Sequence, residues 1–319
     1  MRRRPERLQF VFALLALFVL LVQGCAASRA ARTTRKQRDL QHALLMLEHR
    51  SDADSLAAAA LLSRLQAGPG PAVVLLARAS AAAPERPDLV WLEIQACLQA
   101  PGCDPDPQEQ RLRALDPSNG AGWLNAVARA SASNDPAAIT AALAGLTRAQ
   151  RVDTYWTTLI SHLTSALAAT GDVPVADALV NIVGALATGS IPPYKPILDQ
   201  CLGPRLGDPE RLEQCQRVAA ALEQGDTYIT TMIGARLAQR VWPADSAQWQ
   251  AAAQARHVYE YRSGLWTHSE EGLLRDPQWV RKFLALCAQN RREQDVYSSE
   301  LVDEGKSPDP PPGWTSRRP

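Results

Sequence analysis

Ser55-Leu56-Ala57-Ala58-Ala59-Ala60-Leu61-Leu62-Ser63-Arg64-Leu65-Gln66-Ala67-Gly68-Pro69-Gly70-Pro71 decides the fold class of this chain. Ala58, Leu61, Leu62 and Leu65 stand at i, i+3, i+4 and i+7, which is one stripe of an α-helix. Gly68, Gly70 and Pro71 end that helix, and a second one runs to about Ala83. The same pattern repeats outward. The turn Pro84–Asp88 starts a helix striped by Trp91, Ile94 and Leu98, and Trp123, Ala126, Val127 and Ala130 stripe another. Val152, Tyr155, Trp156, Leu159, Leu163 and Leu167 form a strong stripe after residue 151. Further helices are expected around 174–188, 192–202, 209–224, 226–241, 245–262 and 277–300. Asp116-Pro117, Asp135-Pro136, Asp208-Pro209 and Asp276-Pro277 read as helix starts, because aspartate caps free N–H groups and proline fits the first helical position. No β-branched run has period two, so the expected class is all-α, built from stacked antiparallel helical hairpins and a further α-helical region.

With 319 residues the chain is long enough for one large or two ordinary domains. Residues 1–24 hold four arginines and one glutamate. Taken from the whole chain's 34 basic and 33 acidic residues, they leave 30 and 32, a net of −2. A nucleic-acid partner would call for a strong basic excess, so none is expected. Residues 306–319 carry Pro308, Pro310, Pro311 and Pro312 and are expected to be a disordered tail.

The N-terminus reads as an export signal: Arg2, Arg3, Arg4 and Arg7, then an apolar run from Phe10 to Val22, then small residues Ala26, Ala27 and Ser28. The run is shorter than the roughly 20 apolar residues of a membrane span. Val22-Gln23-Gly24-Cys25 resembles the lipobox of bacterial lipoproteins, in which the cysteine carries the lipid, although Gln23 stands where that family has a small residue. An ordinary signal peptide and an uncleaved anchor are the alternatives. The resemblance implies a signal peptide over 1–24, lipidation of Cys25 and a membrane partner through that lipid. Ala26 lacks the aspartate of inner-membrane retention, which implies the periplasmic face of an outer membrane. Residues 25–50 are then a basic tether leading into the first helix; Arg29, Arg32, Arg35, Lys36 and Arg38 are either a solvated linker or a contact to anionic lipid.

Trp91 and Trp123 lie 32 residues apart, each opening a helix after a turn, and Leu115-Asp116-Pro117 follows the first. Over about residues 52–150 this resembles the tetratricopeptide repeat, whose period is 34 and whose helix A opens on Trp and Leu. Gln95 and Val127 replace the family's small residue, and Leu98 and Ala130 its tyrosine. The resemblance implies tetratricopeptide-like hairpins over 51–150, a separate helical region over 151–305, and a groove that binds a protein or peptide partner.

With Cys25 lipidated, five cysteines remain. Cys97 and Cys103 flank a turn and Cys201 and Cys215 flank another, so local disulfides Cys97–Cys103 and Cys201–Cys215 are expected. Cys287 shares a stripe with Val280, Phe283 and Leu284 and should be a buried thiol. The histidines are His42, His49, His162, His257 and His268. His257 and Glu260 share a helical face as a surface pair, with a metal half-site as the sharper alternative; Ser161-His162 shows no acidic orienter nearby. No catalytic, cofactor or metal residue is assigned, and no phosphate loop or dinucleotide fingerprint occurs. The second functional expectation is an envelope enzyme or ligand-binding protein with a site between the halves, near Trp242, Trp249, His257 and Trp266. The lipobox has a direct test: Cys25→Ser should abolish labelling of the protein by a fatty-acid probe, and undiminished labelling sinks the assignment.

Overall fold

The computed structural model describes residues 33–189, 191–266 and 276–315, and within them the protein is all-α. Cys25 and His268 lie outside the described residues. A first helix, α1, covers 33–48. It is followed by α2 (Ala53–Ala67), α3 (Pro69–Ala82), α4 (Pro87–Gln99), α5 (Asp106–Leu115), α6 (Ala121–Ala132) and α7 (Pro136–Leu146). Then come α8 (Trp156–Ala168), α9 (Val175–Gly189), α10 (Tyr194–Gln200), a 3₁₀ turn (Gly203–Gly207), α11 (Pro209–Glu223), α12 (Tyr228–Val241), α13 (Ala247–Trp266), α14 (Pro277–Gln289) and α15 (Glu293–Asp303).

α2 is the axis of the molecule. Every residue from Ser55 to Ser63 is buried. A helix apolar on all sides is one that is packed on all sides, and here α3, α8 and α9 surround it. Its alanines let those backbones come close. Asp52 caps its start, accepting from the Ser55 N–H at 2.9 Å. Gly68 (φ 85°) alone separates its end from Pro69, the first residue of α3. Arg64 extends from α2 to donate to the Ala185 carbonyl in the last turn of α9, where a cation meets the negative end of the helix dipole. The stretch 175–200 is long and apolar enough to cross a membrane by length and composition. Within it α9 turns Ala178, Leu179, Ile182, Ala185 and Leu186 to the interior, against α2, α8 and α14.

From α2 to α7 each helix packs on the next. The C-terminal helices return to the N-terminal ones: α8 and α9 against α2, α10 against α6, α11 against α7. One contiguous apolar core therefore runs from Ala43 to Val296.

Trp91 and Trp123 do not occupy equivalent environments. Trp91 is fully buried. Trp123 is half-buried, with the Arg113 guanidinium 3.9 Å above its ring. Its other neighbour is Gly145 of α7, where an added Cβ would run into the indole. Glu109, fully enclosed, holds this corner together through Arg113 (2.9 Å) and Arg129 (2.5 Å).

Three of the four Asp-Pro starts behave as caps: Asp135, Asp208 and Asp276 each accept from the first-turn N–H groups of α7, α11 and α14. Asp116 does not, because Arg151 and Tyr155 take its carboxylate. The expected helix over 277–300 is two, broken at 290–292, so that Arg291 can reach Asp153 at 3.0 Å. The basic segment is folded from residue 33 onward: Lys36 pairs with Asp177 at 2.7 Å and His42 with Asp172 at 2.8 Å. The expected disordered tail is described over 306–315. It has no helix, but Arg262 donates to the Pro308 carbonyl at 2.7 Å, and Trp314 packs on His257 and Tyr261 at 4.9 and 5.4 Å between ring centres.

Cys97 pairs with Cys103 (Cα–Cα 5.2 Å) and Cys201 with Cys215 (5.5 Å). The first ties α4 to the turn behind it, the second α10 to α11. Cys287 is free and buried, and burial pushes its thiol up to about 12, with Glu293 and Glu300 adding to the shift. A thiol held that high is a poor nucleophile. In denaturation measurements Trp91→Ala should cost about 3–5 kcal/mol, and Trp123→Ala clearly less, since the second ring is already half in water.

Candidate functional site

The stripe from Val152 to Leu167 predicts one helix, yet α8 starts only at Trp156. Val152, Asp153, Thr154 and Tyr155 form a buried extended connector, and Tyr155 takes a left-handed conformation (φ 61°). Polar partners hold it from both sides. Asn119 donates to the Asp153 carbonyl (2.8 Å) and the Tyr155 hydroxyl (2.9 Å). The Tyr155 hydroxyl donates to Asp116 at 2.9 Å, and Arg151 grips the same carboxylate at 2.7 and 2.8 Å. Asp153 accepts from its own chain at the Tyr155 N–H and from Arg291.

The start of α8 is capped from elsewhere in the chain. Asp226, fully buried, accepts from the Trp156 N–H at 2.9 Å and the Thr154 hydroxyl at 3.0 Å, while its own N–H donates to the Val152 carbonyl. The next joint works the same way. Glu293 accepts from the Tyr228 N–H at 2.7 Å, and its N–H donates to the Asp226 carbonyl at 2.7 Å. The first residues of α8, α12 and α15 are thereby drawn to one place.

Between them opens a cleft of about 360 Å³. Trp156, Tyr194, Tyr228, Tyr259 and Tyr297 supply its aromatic walls and Ile229 part of its rim. Tyr228 stacks on Tyr297 at 5.4 Å and meets Tyr259 at 5.0 Å. Arg262 and Glu293 are the charged residues among the described lining. The Tyr194 hydroxyl shares a hydrogen with Thr230 at 2.5 Å.

Burial sets the protonation here. It pushes Tyr228 up to about 12 against the pull of Arg262, and raises Tyr194 and Tyr297. The phenols therefore stay protonated at neutral pH. Burial also raises Glu293, against its bonds from the Tyr228 N–H and the Tyr297 hydroxyl. Asp226 is pushed up to about 8 by burial and then by neighbouring Asp153, with the Trp156 and Thr154 bonds opposing. The described lining offers π faces, hydroxyl donors and one guanidinium, but no histidine, cysteine or lysine.

Of the residues singled out from sequence, Trp242 packs against the core, Trp249 donates to the Gln239 carbonyl at 3.2 Å, and His257 faces Trp314. None lines the cleft. Glu260 pairs with Arg256 at 3.7 Å. Ser161-His162 does have an acidic neighbour: Asp54 lies 3.0 Å from His162 Nδ1, placed there by the packing of α2 on α8. Burial pushes Asp54 up, but His162 and Arg86 outweigh it and hold the carboxyl below its ordinary value. The Ser161 hydroxyl is turned away, donating to the Leu284 carbonyl. Sequence reasoning missed Tyr194, Tyr228, Arg262, Glu293 and Tyr297. One signal was available: all six tyrosines fall at or after residue 155, and four of them line the cleft. Comparison with protein-family profiles, with curated proteins and with solved structures finds no match for this chain.

The acids make a signed prediction. A carboxyl raised on folding holds a proton that the unfolded chain releases, so its contribution falls as pH rises between the two pKa values. Asp226 spans about 4 to about 8, and Glu223, raised to about 7 by burial, acts in the same direction. Unfolding free energy should therefore drop from pH 5 to pH 8, by on the order of 1 kcal/mol per unit for each proton involved. Asp226→Asn should flatten that slope in pH-resolved denaturation. Asp54 has the opposite sign: its lowered value stabilises above its unfolded pKa of 3.8 and is lost as pH falls below it.

Proposed function

We propose that this chain is a ligand-binding protein of the cell envelope, held to a membrane by lipid on Cys25, that takes a small apolar molecule in the aromatic cleft. One observation carries the reading: five aromatic side chains enclose one cleft, of a volume near the lower end of the roughly 300–1,000 Å³ found for small-molecule sites. The Val22–Cys25 stretch and the basic, apolar start of the chain support the envelope address. The two local disulfides accord with an oxidising compartment.

The other expectation, a scaffold whose open groove holds a protein or peptide, finds less support. The faces that such a groove would offer on α2, α6 and α7 are packed against α8 to α11. A cleft with several shifted ionisable groups favours a small ligand. Fluorescence titration with indole, an uncharged apolar probe, tests the proposal. Saturable quenching is expected in wild type, weakened at least tenfold by Tyr259→Ala and unchanged by Trp249→Ala, which lies outside the cleft. Absence of saturation would remove the reading.

A further inference from the structure

We infer that the cleft selects an apolar molecule carrying one carboxylate, of the aryl-alkyl acid class, with Arg262 as the partner of its head group. This rests on the reading of the cleft as a ligand site and adds the chemistry that would be recognised there.

Arg262 is the only cation among the described lining residues, and its side chain is 16% exposed. A guanidinium this far out of water forms strong charge-assisted hydrogen bonds to a carboxylate and suits its planar geometry. The acid in the same cleft does not compete for the ligand. Both Glu293 oxygens are engaged by the protein, one by the Tyr228 N–H and the other by the Tyr297 hydroxyl. Asp226 is likewise turned toward α8. Residues at the N-terminal ends of α8, α12 and α15 line this volume.

The protein already sets one carboxylate near the Arg262 guanidinium, outside the cleft lining. Asp309 of the C-terminal tail stands 3.6 Å from the Arg262 guanidinium with 75% of its side chain in solvent. At that distance it is an ion pair without a hydrogen bond, and a wet one, which is worth little. A carboxylate arriving from the cleft can match it from a drier side. Aromatic cages also bind quaternary ammonium groups, but Arg262 disfavours a cation and Glu293 faces inward. The volume suits one ring and a short chain, with no room for an extended peptide.

Isothermal titration of the full-length mature protein with 3-phenylpropanoate, 3-phenylpropanamide and 3-phenylpropylamine decides the matter. The acid should bind at least tenfold tighter than the amide, and the amine weakest. R262Q should lower acid affinity to that of the amide and leave the amide unchanged. D309N, an exposed substitution that does not threaten the fold, should raise acid affinity severalfold by removing the competing carboxylate, with no effect on the amide. Equal binding of acid and amide, or tighter binding of the amine, overturns the anion assignment and leaves the cleft a site for apolar molecules. Failure of all three to bind removes the site and the assignment together.

Discussion

The buried carboxyl group of Asp226 is the joint on which the second half of the molecule turns. α8 begins in the interior, after a connector that is extended and ends on a left-handed tyrosine. Tyr155, the residue just before it, supplies no side-chain cap. A buried N–H left without an acceptor costs roughly 1–3 kcal/mol, and Asp226 removes that cost from 70 residues away. Because Asp226 stands two residues before α12, next to its cap Thr227, its bond to α8 places the start of α12. Glu293 repeats the device one step later by accepting from the Tyr228 N–H. Two helix starts are thus held by acids borrowed from elsewhere, the start of α15 joins them through the Glu293 N–H to the Asp226 carbonyl, and the space among the three becomes the aromatic cleft.

Two opposing effects meet at these acids. Burial favours the protonated form, while helix N-termini and N–H donors favour the ionised one. For both Asp226 and Glu293 burial is the larger cause. The carboxyl groups of Asp226 and Glu293 are thus engaged by the protein itself, and Arg262 is the cation among the described lining residues. That division of labour gives the site its polarity.

Much of the fold was legible because it depends on local pattern. The Ala58–Leu62 stripe, the caps at Asp135, Asp208 and Asp276, and the cystine loops of 6 and 14 residues' separation follow from neighbours close in sequence. What escaped depends on distant partners. Val152 and Tyr155 are spaced as a helical stripe, and only Asn119, Asp226 and Arg291 make that segment extended. Asp116 has the sequence of a cap and the job of an anchor for Arg151. Trp91 and Trp123 share a sequence context, yet the surroundings contributed by other helices separate them. The cleft was invisible for the same reason: its walls come from α8, α10, α12, α13 and α15, and no spacing rule links Tyr194 to Tyr297.

The buried connector has a consequence for the order in which the chain completes itself. Helices α2 to α7 find their neighbours within a few dozen residues, so their contacts form with short loops to close. Asp153 waits for Arg291, 138 residues later, and α8 waits for Asp226. Synthesis proceeds from the N-terminus, so the first half emerges and pairs while one face of α2 still lacks α8 and α9. The bonds that residues 153 and 156 make to Arg291 and Asp226 can form only once those residues have been made. The segment 151–157 thus works as a clasp that the last part of the chain fastens. Before α8 and α9 are made, α2, which is buried on every side from Ser55 to Ser63 in the finished protein, has a face without its partners.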